Sequence, residues 1–137
     1  MRQLTITALL SICCICPAYG QQCLHGAGET PEQQGRRRQA LNAARAVNTI
    51  QANRPGRPTQ QYLRQIELGS STYATSHRDT LSSFDFSPGQ EVLPGWELRL
   101  ELTEVGYWFM IRDKTDPCGF AYISNEHGLI YNAEPIR

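Results

Sequence analysis

The sequence predicts an α+β domain in which one N-terminal amphipathic helix packs on a C-terminal antiparallel β-meander of three to four strands. Two observations predict it. Between Gln39 and Asn53 apolar residues recur with the period of a helix, and from Trp96 onward the period changes to two. A third is the shortness of the connections in the second half, which leaves hairpins as the way to join the strands. A helix followed by a run of strands is the α+β pattern.

Residues 1–20 have the features of a cleavable secretory signal peptide. Arg2 supplies positive charge, and Leu4 to Cys16 is a run of 13 uncharged residues. That run suits a signal peptide and falls short of the ~20 residues a spanning helix needs. Pro17 breaks the apolar helix, and Ala18 and Gly20 put small side chains where a signal peptidase reads, so cleavage is expected after Gly20. The expected location is secreted or periplasmic, with no transmembrane segment after cleavage. About 117 residues then remain, enough for one small domain with a modest core.

Three of the five cysteines leave with the signal, and Cys23 and Cys118 stay. Two cysteines in an oxidising compartment are expected to pair. The alternatives are free or intermolecular thiols. Cys23 and His25 without a second ligand pair do not make a zinc site.

Residues 21–35 contain Gly, Gln and Glu without periodic apolar positions and read as an irregular arm. Residues 36–137 read as the single domain. Arg36, Arg37 and Arg38 precede the helix of Gln39 to Asn53. There Ala40, Leu41, Ala43, Ala44, Val47 and Ile50 share one side, while Asn42, Arg45, Thr49 and Asn53 share the other. Alanine supports the helix locally, and Pro55 and Gly56 stop it. Pro58 is placed to open a short second helix that ends before Gly69. Residues 69–95 read as a long loop with a short strand near Ser71 to Ala74, and Tyr73, Phe84 and Phe86 tie it to the core. Trp96, Leu98, Leu100 and Leu102 alternate with Glu97, Arg99, Glu101 and Thr103, a half-buried strand. Tyr107 to Arg112 is apolar on both faces and therefore central. Phe120 to Ser124 and Leu129 to Tyr131 are the remaining strands, joined by a tight turn in which Gly128 suits a positive φ.

Several of these segments resemble a known group. Leu41 to Ile50 is similar to the Ala-, Arg- and Asn-rich helix of type IV pilins and of the pseudopilins of type II secretion. Tyr62-Leu63 and Ile66 to Gly69 resemble the segment that follows it there. Gly106 to Ile111 looks like their central glycine-tyrosine-aromatic strand, and Ser124 to Tyr131 resembles their closing hairpin. The resemblance implies a pilin-like globular domain over roughly residues 38–135. It does not imply filament assembly. Pilins carry a prepilin-peptidase site and a long apolar helix with an early Glu, whereas this chain carries an ordinary signal peptide and a polar segment after it. The implied protein is a released relative that keeps the globular head.

Catalytic chemistry finds no foothold in the sequence. His25, His77 and His127 are scattered over an arm, a loop and a turn, where exposed histidines are ordinary. Ser76, His77 and Asp79 are neighbours only in sequence, and triads are defined in space. Glu97 and Glu101 flank Arg99 on one strand face and are expected to pair with surface cations. Neither a phosphate-binding glycine loop nor a Gly-x-Ser-x-Gly elbow occurs, and no cofactor or metal motif is present.

Charge is more informative. The whole chain balances 13 basic against 13 acidic residues, which speaks against a nucleic-acid binder. Residues 21–64, however, hold seven arginines against two acids, and residues 65–137 hold five basic groups against eleven acids. Arg36, Arg37, Arg38 and Arg45 are therefore the candidate partner-binding residues, for an envelope protein or an anionic envelope component. The competing reading is self-neutralisation of a basic helix on an acidic sheet. Trp96, Trp108, Tyr107, Tyr122 and Tyr131 are candidates for a sugar-stacking groove, though at strand spacing core packing is the commoner role. The expected function is a non-enzymatic, pilin-like interaction module of the cell envelope. The alternatives are a small envelope enzyme with a site between residues 69–95 and the sheet, or a purely structural exported protein.

Overall fold

The computed structural model describes residues 23–26, 28–56 and 61–134. The expected signal peptide, and Pro58 with its helix start, lie outside these. The described residues form one long helix, three short ones and a five-stranded sheet. α1 spans Pro31–Ala52, α2 Gln65–Leu68, α3 Thr72–Ser76 and α4 Arg78–Leu81. The strands are β1 (Glu91–Leu93), β2 (Trp96–Leu102), β3 (Tyr107–Asp113), β4 (Ala121–Asn125) and β5 (Ile130–Ala133). They lie side by side in sequence order and every neighbour is antiparallel. This is the expected meander with one further strand, and β3 is central as its two apolar faces require.

α1 begins eight residues before Gln39. Thr30 caps it: the hydroxyl accepts from Gln33 N at 3.2 Å, and Gln33 Oε1 accepts from Thr30 N at 2.7 Å. Pro31 at the first turn needs no partner for a missing N–H, so the polar segment before the arginines is helical despite lacking apolar period. Arg36 to Arg38 thus sit inside the helix rather than at its start. Ala40, Ala43, Ala44, Val47 and Ile50 are fully buried against the sheet. The sheet opposes them with large side chains, including Trp96, Leu98, Phe109 and Ile111. Small residues on the helix let it approach closely, and the aromatic rings fill the space between. Leu41, expected on the buried side, is only partly buried.

Residues 69–95 depart most from expectation. Ser71 to Ala74 is not a strand. Ser71 accepts from Ala74 N at 3.1 Å and starts α3, because a serine hydroxyl offers the backbone a cap that a strand ladder would not use. Tyr73 and Phe84 pack against the core and Phe86 enters it, as expected. The segment of Tyr62 and Leu63 is not helical. It is clasped by the buried Gln51, whose Nε2 donates to Leu63 O at 2.7 Å while its Oε1 accepts from Leu63 N at 2.9 Å.

Candidate functional site

The four arginines singled out in the sequence divide into two groups. Arg36 turns towards the sheet end. It donates to Thr115 Oγ1 at 3.3 Å and lies 3.7 Å from Asp113 Oδ1. Arg37, Arg38 and Arg45 instead share one side of α1 with Gln34 and Leu41, as helical spacing dictates. They form one wall of a groove of about 730 Å³. Tyr122 and residues Gly128, Leu129, Ile130 and Asn132 of the β4–β5 hairpin form the other.

Among the described residues no carboxylate lines this groove. Arg38 has no ion pair among the described residues. Arg45 Nη1 donates to Asn42 Oδ1 at 3.1 Å, and Arg37 Nη2 meets Glu29 Oε2 at 2.9 Å. A guanidinium carries five N–H donors, so one bonded edge leaves others free to face a ligand. Burial pushes the Tyr122 phenol above its ordinary range, against the opposing pull of Arg37, which keeps it a neutral donor.

A polar hub fixes the width of the groove. Asn48 Nδ2 donates to Ser124 Oγ at 2.9 Å and to Gly128 O at 3.1 Å. The Tyr107 hydroxyl donates to Asn48 Oδ1 at 2.9 Å. One helix side chain thus ties β3, β4 and the β4–β5 turn to α1. Gly128 has φ 75°, the left-handed value that the turn residue was expected to need.

The groove's outer end is held by the N-terminal arm. Cys23 and Cys118 form a disulfide. Leu24 N then donates to Asp116 Oδ1 at 3.0 Å, and Asp116 also accepts from Cys118 N and Phe120 N at 3.1 Å each. The arm next inserts His25, which is 8 % exposed. Its Nε2 lies 2.8 Å from Asp113 Oδ2 and its Nδ1 lies 2.8 Å from Glu29 Oε1. Its ring contacts Phe120 and Trp96, with centroids 4.6 and 5.6 Å away. Glu29 passes the link on to Arg37. The expectation that His25 is exposed on an irregular arm is therefore corrected. Pairing of Cys23 carries its neighbours onto the sheet end, where two carboxylates flanking Cys118 receive them.

Asp113 is fully buried. Burial raises its carboxyl, but hydrogen bonds from Thr115 and His25, aided by the Arg36 charge, outweigh it and hold the group below the usual aspartate range. His25, Asp113, Glu29 and Thr115 are bound to one another, the arrangement of a structural clamp.

The other candidates separate in space. His77 and His127 are exposed. His77 stacks on Tyr73 at 4.1 Å, and its Nδ1 lies 3.0 Å from Tyr73 O. Glu101 pairs with Arg99, and Glu97 with Arg112 at 3.2 Å, the same-face pairing expected of them. Trp96, Tyr107 and Tyr122 face the core, while Trp108 and Tyr131 lie on the opposite sheet face. Sequence reasoning missed His25, Glu29, Asp113 and Asp116. Their signal was proximity to the two cysteines. Among the described residues no cluster of three or more His, Cys, Asp or Glu could hold a metal ion, and no helix is long and apolar enough to cross a membrane. Comparison with protein-family models, with curated proteins and with solved structures returned no match.

Proposed function

We propose that this chain is an exported, non-enzymatic interaction module of pilin-like architecture, and that its helix–hairpin groove binds an anionic component of the cell envelope. The observation that carries the reading is the placement of Arg37, Arg38 and Arg45 along a groove that no carboxylate lines among the described residues. Arginine forks favour carboxylate and phosphate oxygens, and Leu41, Leu129 and Ile130 add apolar lining. Self-neutralisation accounts for Arg36 and Arg37, each of which has an acidic partner, and leaves Arg38 and Arg45 without one among the described residues. The arrangement of a helix laid across an antiparallel meander supports the pilin-like reading.

Two probes distinguish the sources of the anion. Labelled polyglutamate stands for an acidic protein surface, and phosphatidylglycerol vesicles stand for a headgroup layer. Binding to one of them at low salt is expected, weakening as salt rises. The double variant Arg38→Glu/Arg45→Glu is expected to lower the affinity about tenfold. Equal binding by parent and variant would overturn the groove as the site.

A further inference from the structure

The outer face of the sheet carries chemistry that the groove does not use. Of the outward positions on β2 to β5 only Ala121 is buried. Register places Trp108 of β3 beside Asn125 of β4, and Tyr131 of β5 beside Ile123 of β4. Asn125 and Ile123 are successive residues on that face. The two aromatic side chains are therefore rooted two strands and one same-face step apart, about 12 Å by ordinary sheet spacings. Tyr131 is 56 % exposed and Trp108 is half-buried.

Charged groups frame the rings and cancel. Arg99 hydrogen-bonds Glu101, and its guanidinium carbon lies 6.0 Å from the Trp108 ring centre. Arg112 donates to Glu97 at 3.2 Å. Two cations and two anions on one face leave it locally neutral, unlike the groove.

We propose that this face is a saccharide platform for an extended, uncharged chain of β-1,4-linked hexoses. Three features select that ligand. Trp108 and Tyr131 rise from one sheet face, and aromatic rings so placed take the C–H faces of equatorial sugar rings. Arg, Glu and the Asn125 amide supply adjacent donors and acceptors of the kind that bridge vicinal hydroxyls. Local neutrality removes any gain for an anionic polymer. The paired charges break the apolar surface into pieces smaller than a hydrophobic protein or membrane partner would use. The proposal is independent of the groove.

Isothermal titration of the oxidised protein with cellohexaose and chitohexaose tests it, with α-linked maltohexaose as the comparison. Binding of at least one β-linked hexasaccharide in preference to maltohexaose is expected. Tyr131→Ala and Trp108→Ala are each expected to weaken it about tenfold. If Trp108→Ala does not fold, Tyr131→Ala carries the test, because that side chain is exposed on an edge strand. Arg38→Glu/Arg45→Glu should bind the sugar as the parent does. No binding of either β-linked probe, equal binding of maltohexaose, or unchanged affinity in Tyr131→Ala overturns the proposal.

Discussion

Asp113 is where single-residue chemistry has the widest effect. Its carboxylate accepts from Thr115 N at 2.8 Å and from the Thr115 hydroxyl at 2.6 Å, and faces His25 Nε2 with its other oxygen. An ionised carboxylate only accepts, so the bond to Asp113 is donated by His25 Nε2. The folded-state carboxyl of Asp113 lies below the unfolded value of about 3.9. A lowered acid contributes stability that is fully present above the unfolded value and is lost as pH falls through the folded one. Asp113→Asn is therefore expected to cost about 1–3 kcal/mol at pH 7, because His25 and Arg36 lose an anionic partner in a buried site. The same variant should lose part of the parent's sensitivity to acid below about pH 4. Urea melts at the two pH values measure both. Equal neutral stability of variant and parent would show that the clamp contributes nothing.

Two glutamines do at the level of elements what strands usually do for each other. β1 is short and pairs only with the start of β2. Beyond it, Gln65 Nε2 donates to Leu98 O at 3.1 Å and Gln65 Oε1 accepts from Leu100 N at 3.1 Å. The side-chain amide thus closes the β2 edge as one more peptide unit would, and Gln51 does the same for Leu63. Gln65→Ala is expected to cost about 1 kcal/mol and to speed hydrogen exchange at Leu100 N. An unchanged exchange rate at that amide would show that the clasp is not formed in solution. Elements of this kind explain what could be read beforehand. β2 was legible because alternation of Leu and Trp with charged residues has only one packing solution, and β3 to β5 were legible as apolar runs between short turns. The body of α1 was legible from its alanine stripe, but its first turns were not, since they rest on the Thr30 cap rather than on apolar period. Residues 69–95 were misread because α3 is set by one serine hydroxyl. Of the candidate site, the arginines were visible as a charge cluster. Their division into clamp and groove was not, because it depends on Glu29 and Asp113 arriving from opposite ends of the chain.

At the scale of the whole molecule, the Cys23–Cys118 bridge joins residues 95 apart. Cys23→Ser is expected to cost about 2–5 kcal/mol, measured by thermal or denaturant melts. It should also make the arm before Pro31 sensitive to limited proteolysis, since only the non-covalent contacts of Leu24, His25 and Glu29 then hold it. A variant as stable and as resistant as the parent would show that the bridge is not formed. The same bond has a mechanical meaning. It closes residues 24–117 into a covalent ring that contains α1 and the first three strands. Tension applied between Cys23 and the far end of the chain crosses the sulfurs and bypasses the backbone of that ring. Only β4 and β5 lie in the path of the force, so the hairpin wall of the groove is the part that pulling can peel away.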